Sequence, residues 1–399
     1  MSFLYPKQGK PTLLIVLVAL VSLTLIILDF RKKDSGKPNL HNNASKVILI
    51  TIDGLRAGDL SCYGYETNAS SGIDTFAKES LIFENAFSQS PRTVLSYISM
   101  LTSDYRLNFD YLKRPENSSA ILNTKESLIN ILKKHKFMTA GFSNSPSVSH
   151  LLSYGKDFNF WYKSKQMSLI LPKVHRWVLE NQDKDFFLLL QLNELEKKDY
   201  KNNTDTMHYS YDQKLKYIDG YLNRFFDFLK AVNLWDNTLL IVTSAHGREL
   251  SQGAVIKVSD RLDDTSLHVP LIIKMPKSFG FLPRRIKKVA GLVDIVPTIL
   301  SVLEIAGVNQ IDGSDLIGLI NNIDNKSERA IFASTNRATM VRTEDYKFIL
   351  NKKFPQRSKL FDLKLNRRVK VNKKGIFNAK IEEMKALLEN HLKEDLIYN

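Results

Sequence analysis

Two polar residues stand where apolar runs stop. Asp53 follows "KVILITI" (Lys46–Ile52), and His246 closes the stretch "DNTLLIVTSAHG" at 236–247. A carboxylate and an imidazole gathered at one place can share a divalent cation or pass a proton. Each alone is a weak sign, because a lone aspartate or histidine at a strand end more often caps or packs. Beside His246 stands Ala245, which offers no lone pair to a cation.

The elements that would position these residues are legible in the pattern. "KVILITI" is a continuous β-branched run, as expected for a strand buried on both faces of a mostly parallel sheet. "FFLLLQL" (186–192), "NTLLIVTS" (237–244) and "VPLIIKM" (269–275) share this character, with amphipathic segments at 125–135 and 211–232 between them. Strands alternating with helices predict an α/β fold with helices on both faces of the sheet. In such sheets ligands lie beyond the carboxyl ends of the strands, where Asp53 and His246 both fall. From about residue 331 the texture changes to short hairpin strands. A last helix over 378–396 follows, carrying Ile381, Met384, Leu388 and Leu392 on one face.

Of the 399 residues, 43% are hydrophobic and 25% charged, which suits a folded chain with ample core volume. The single cysteine, Cys62, excludes an internal disulfide and leaves the redox compartment open. A formal charge of +15 raises nucleic acid as a partner, but the lysines are scattered, and no basic block is interleaved with aromatics. Nucleic acid is therefore not expected. The densest basic region, 347–374, suits a solvated or lipid-facing surface.

Residues 12–28, "TLLIVLVALVSLTLIIL", carry no charge and are long enough to span a bilayer, so an uncleaved single-pass anchor is expected. A cleaved signal peptide would have a shorter apolar stretch followed by small residues, whereas "DFRKKD" follows here. The division expected is a short segment 1–11, the anchor 12–28, a linker 29–45, an α/β domain 46–330 and a C-terminal subdomain 331–399. Charge alone would keep the large domain in the cytoplasm, since Arg31, Lys32, Lys33 and Lys37 follow the span and only Lys7 and Lys10 precede it.

Taken in order, "VILITIDGLRAGDLSCYGY", "IDTFAKESLIFENAFSQSPRTVLSYISMLTS", "YDQKLKYIDGYLNRFFDFLKAVNLWDNTLLIVTSAHG", "LHVPLIIKMP" and "LVDIVPTILSVLEIAGV" resemble the sulfatase family of the alkaline phosphatase superfamily. The resemblance implies a divalent cation held by several carboxylates, with a nucleophile beside it. It places Asp53 at the first metal-ligand position, Gly54 where a second aspartate often stands, and Thr93 at the nucleophile position. Sulfatases proper carry there a cysteine or serine, followed by proline and arginine, which is modified to an aldehyde hydrate. Thr93, Leu95 and Tyr97 replace that set, so the modification is not expected, and Thr93 resembles the nucleophile of the phosphoryl-transferring branch. The family's metal-binding aspartate is Ala245, with His246 kept. One family histidine is replaced by Gln191, another falls near Lys257, and a third is absent from "NELEKKDY".

The recognisable ligand set is then Asp53, Thr93 and His246, with one formal negative charge. A hard cation wants six to eight oxygens, several of them charged. The expectation is a degraded metal site in a membrane-anchored pseudoenzyme that binds a protein partner, or an anionic glycan or lipid headgroup, with Arg56 and Lys257 as anion contacts. The alternative is a divergent hydrolase or transferase of phosphate or sulfate esters using Thr93. It would need a rebuilt site for Ca²⁺, Mg²⁺, Mn²⁺ or Zn²⁺, fed by Glu249, Asp260, Asp263 or Asp264. Tethered relatives face outward, so the resemblance places the large domain outside the cytoplasm, in the periplasm if the membrane is an inner one.

Overall fold

The computed structural model describes residues 45–66, 68–105, 126–145, 157–197, 210–248, 250–251, 254–255, 261–308, 311–321, 329–365, 367–369 and 376–397. The expected anchor 12–28, the linker up to residue 44, and Glu249, Lys257 and Asp260 lie outside these residues. No helix among the described residues is long and apolar enough to cross a membrane.

An eight-stranded sheet forms the centre. Its strands in chain order are β1 (Lys46–Ile52), β2 (Leu81–Phe87), β3 (Met138–Ser143), β4 (Phe160–Lys163), β5 (Phe186–Leu192), β6 (Thr238–Thr243), β7 (Leu271–Lys274) and β8 (Arg284–Gly291). Across the sheet they run β8-β2-β7-β6-β1-β5-β3-β4. All neighbours are parallel except β7, which is antiparallel to β2 and β6. In the run "VPLIIKM" Val269 donates to the Ala86 carbonyl at 3.1 Å, but Pro270 has no N–H to give, and its carbonyl accepts from the Thr243 hydroxyl at 2.7 Å, so the strand proper starts at Leu271.

The apolar runs are continuous because both faces of the sheet are covered. Val47 and Leu49 of β1, with Phe187, Leu189, Leu239 and Ile241, face a layer that includes α1 (Thr93–Thr102). Ile48, Ile50, Leu188, Leu190, Leu240 and Val242 face the opposite layer, built on α2 (Ile170–Asn181) and α3 (Tyr211–Ala231). Side chains alternate strictly between the two cores, as the strand period requires. α3 opens on a capping box in which Ser210 and Gln213 each satisfy the other's backbone N–H.

The predicted C-terminal hairpins form a separate antiparallel sheet of β9 (Ile331–Ser334), β10 (Ala338–Arg342), β11 (Tyr346–Asn351), β12 (Lys359–Asp362) and β13 (Arg367–Val369). The last helix, α4 (Ile376–Ile397), is slightly longer than its pattern suggested, and lays Ile381, Met384 and Leu388 on Val341, Phe348 and Leu360. The side chain of Leu392 lies outside the described residues.

Candidate active site crevice

Register brings three strand ends together. Thr51 of β1 lies opposite Gln191 of β5 on one side and Thr243 of β6 on the other. The chain leaves these strands at Asp53, Asn193 and Ser244, so residues far apart in sequence share one rim. α1 begins at that rim with Thr93.

Asp53 is fully buried and both of its carboxylate oxygens are engaged. Tyr97, one turn into α1, donates its hydroxyl to Oδ1 at 3.1 Å, and Gln191 donates its amide to Oδ2 at 2.6 Å. Each donor is itself fixed. Tyr97 shares a 2.5 Å hydrogen bond with Thr51, and Ser143 donates to Oε1 of Gln191, which sets the amide the right way round. Removal from water drives the Asp53 carboxyl well above the ordinary aspartate range, and the nearby Glu196 charge pushes it further, against the two hydrogen bonds. Tyr97 and Gln191 stand where the resemblance implies arginine and histidine. Those departures therefore act together, clamping the carboxylate with neutral donors.

His246 is buried, and its Nδ1 lies 2.7 Å from the carbonyl of Gly247. A carbonyl can only accept, so Nδ1 carries the proton. In the neutral ring, Nε2 is then the acceptor facing Thr93 Oγ1 at 2.7 Å. The half-buried Thr93 hydroxyl thus donates to a base whose tautomer is set from behind, which is the relation a nucleophile needs with its activator.

Glu196 enters the same space from the turn after β5, with Oε1 3.5 Å from His246 Nε2. "NELEKKDY" lacks the histidine that the resemblance implies, and from it a carboxylate reaches this space. Composition could not separate it from Glu194, which pairs with Lys197 at 2.6 Å and accepts from Asn144. Opposite stands Arg248, 7% exposed. Both side chains pass over Gly54. A β-carbon built there would lie 3.2 Å from Glu196 Cγ and 3.6 Å from Arg248 Cδ, and φ at Gly54 is +80°. Glycine is needed for both reasons.

The remaining predicted contacts lie elsewhere. Arg56 forks onto Asp59 with hydrogen bonds of 2.8 and 2.5 Å. Asp263 caps a short turn by accepting from Ser266 N, and Asp264 accepts from Arg342 and Lys347 of the small sheet. Neither aspartate makes these contacts in the crevice. Lys257 lies outside the described residues.

A divalent cation, which the fold would ordinarily carry, does not fit this set of donors. Both oxygens of Asp53 already face N–H or O–H groups, Ala245 is fully buried and has nothing to coordinate with, and Gly54 has no side chain. Among the described residues no group of three or more His, Cys, Asp or Glu is placed to hold a metal.

A mostly parallel α/β sheet with a hydroxyl, a histidine and a carboxylate at its carboxyl edge, beside a small antiparallel sheet, defines the sulfatase-like hydrolase and transferase fold. Residues 45–305 match the protein-family model described as Sulfatase, well over half of the chain, and the chain belongs to that family. It is 25% identical over 184 residues to the "Putative extracellular sulfatase Sulf-1 homolog" of Caenorhabditis elegans; the match covers 46% of this chain and 24% of that one. Lipoteichoic acid synthase 1 of Bacillus subtilis is 28% identical over 115 residues, 27% of this chain and 18% of that one. Both alignments span well under half of the relatives' lengths. The phosphonate monoester hydrolase of Agrobacterium radiobacter superposes with a TM-score of 0.64 at 16% identity, covering 87% of this chain and 95% of that one, and shares the fold.

Proposed function

We propose that this protein is a sulfatase-fold pseudoenzyme. Its crevice receives the tetrahedral oxyanion end of a sulfated or phosphorylated glycan or lipid headgroup without cation-dependent cleavage. Residues 12–28 would tether it to a membrane, with the large domain outside the cytoplasm; the uncharged run and the outward-facing habit of tethered relatives support this. One observation carries the loss of chemistry. Asp53, the surviving acidic ligand position, spends both oxygens on Tyr97 and Gln191. Loss of even an outer partner of a metal ligand typically weakens metal binding 10–100-fold, and here acidic ligand positions themselves stand as Gly54 and Ala245.

The test is calorimetric titration of the protein with Ca²⁺, Mg²⁺, Mn²⁺ and Zn²⁺. No binding tighter than about 1 μM is expected, and a tighter site would overturn the reading. A reporter fused to the C-terminus, active only outside the cytoplasm, tests the orientation.

The Thr93–His246 pair favours a second reading, transfer of a phosphoryl or sulfuryl group. Thr93 Oγ1 would bond to phosphorus or sulfur, its proton would pass to His246 Nε2, and the bond to the leaving oxygen would break. That oxygen would take the proton back from His246, and a water or acceptor hydroxyl would then attack the phosphorus or sulfur, giving its proton to His246, while the bond to Thr93 Oγ1 breaks and Thr93 recovers a proton from His246. Turnover of p-nitrophenyl phosphate or sulfate that vanishes in both Thr93→Ala and Asp53→Ala would establish this reading; activity unchanged in both variants would remove it.

A further inference from the structure

Among the described residues of the crevice, Arg248 has a donor left over. Its Nη1 is buried and has no hydrogen-bond partner among the described residues. A guanidinium presents five donors in a fixed fork and stays charged inside a protein, so an unmet buried N–H is a costly arrangement. The side chain enters the space over Gly54, where a second acidic ligand would project in the family. Glu196 shares that space, and its charge favours the guanidinium against the cost of burial. Glu196 in turn lies 3.5 Å from His246, and the histidine 2.7 Å from Thr93, so the arginine shares the space over Gly54 with a carboxylate that reaches the histidine. Thr93 opens the ten-residue helix α1, whose first N–H groups have no carbonyl within the helix to reach and favour an anion at that end.

We propose that Arg248 is the resident cation of this crevice, a guanidinium standing where relatives hold a divalent ion, whose free Nη1–H binds an oxygen of a sulfate or phosphate group. This rests on the pseudoenzyme reading given above. The exchange is chemically coherent. A divalent ion needs several charged oxygens, whereas a single guanidinium carries one positive charge, and the Glu196 carboxylate lies near enough to favour it without pairing directly with it. An arginine also meets a tetrahedral oxyanion through directed N–H bonds, which a compact ammonium cannot match.

The experiment titrates the full chain with sodium sulfate and, separately, sodium phosphate at constant ionic strength, in EDTA and again with added Ca²⁺ or Mn²⁺. Binding is read by calorimetry and by the shift in melting temperature. The native protein should bind at least one anion equally well in EDTA and in metal, and the stronger anion identifies the ester class. Arg248→Gln should weaken that binding about 10-fold or more, the size expected for a lost charge-assisted hydrogen bond. Arg248→Lys should fall between, and carries the test if the glutamine variant does not melt cooperatively. Anion binding that appears only with metal would overturn the pseudoenzyme reading. Metal-independent binding that is indifferent to both substitutions would overturn the role of Arg248 alone. No anion binding by the native protein at tens of millimolar would overturn it as well.

Discussion

Asp53 at the crevice and Asp264 at the junction with the small sheet are held in opposite ways. Asp53 is fully buried and meets only neutral donors, Tyr97 and Gln191. Asp264 keeps 46% of its side chain exposed, yet it accepts from Arg342 at 3.1 Å and Lys347 at 2.8 Å, two cations that are themselves almost fully buried. Burial raises the first carboxyl. In the second, burial is the largest single influence and acts upward, but Arg342 and Lys347 together outweigh it and hold the group below the ordinary value. Arg342 is also seated 4.0 Å above the ring of Phe87 at the end of β2. The difference teaches where this molecule keeps its charge. The junction with β10 and β11 is ionic, while the carboxyl of Asp53 is held by uncharged donors in a setting that disfavours its charge.

The largest expected effect lies at the junction. Asp264→Ala would strand Arg342 and Lys347 as buried cations. Such losses cost about 3–5 kcal/mol in full burial, and about 2–3 kcal/mol is expected with one side open to water. A urea denaturation curve that barely moves would show that the two cations find other partners.

At the crevice the same substitution is milder. Asp53→Ala leaves the Tyr97 hydroxyl and the Gln191 amide without an acceptor, for about 1–3 kcal/mol, while Asp53→Asn should cost under about 1 kcal/mol. If the asparagine variant were the more damaged of the two, a charged Asp53 would be indicated, and with it a site closer to the active family.

The finest contrast is in pH. Asp264 has its folded value below 3.8, so its contribution is present above that pH and is lost as pH falls through the lower folded value. Asp53 has its folded value above 3.8, so its contribution is whole below that pH and is eroded as pH rises towards the raised value. The stability gap between native protein and Asp264→Asn should shrink on acidification from about pH 5. The gap for Asp53→Asn should move the other way over the same range. Parallel slopes in urea melts would erase the contrast.

Much of this was legible in the residues. β-branched runs that stop at polar residues predict a parallel sheet with Asp53 and His246 at its rim, because burial on both faces demands continuous apolar sequence. The amphipathic segment 125–135 is longer than the helix it forms, Leu128–Lys134, because Ser127 caps that helix by accepting from Asn130 N. Thr93 could be placed through its family position, but its 2.7 Å contact with His246, 153 residues away, could not be read. Glu196 and Arg248 carried no local signal at all. One sits in a loop of alternating acids and lysines, and the other looks like any polar residue after a strand.

By itself the sequence determined the family and the order of the elements, and it set Gly54 and Ala245 where the resemblance implies acidic ligands, since these rest on residue type and local periodicity. Only the tertiary structure decided what took over. Gln191 reaches Asp53 across 138 residues of chain, and Glu196 and Arg248 both pass over Gly54, a glycine that belongs to neither segment. Such contacts arise from the register of separate strands and the space a missing side chain leaves, and neither quantity is written in any one stretch of chain.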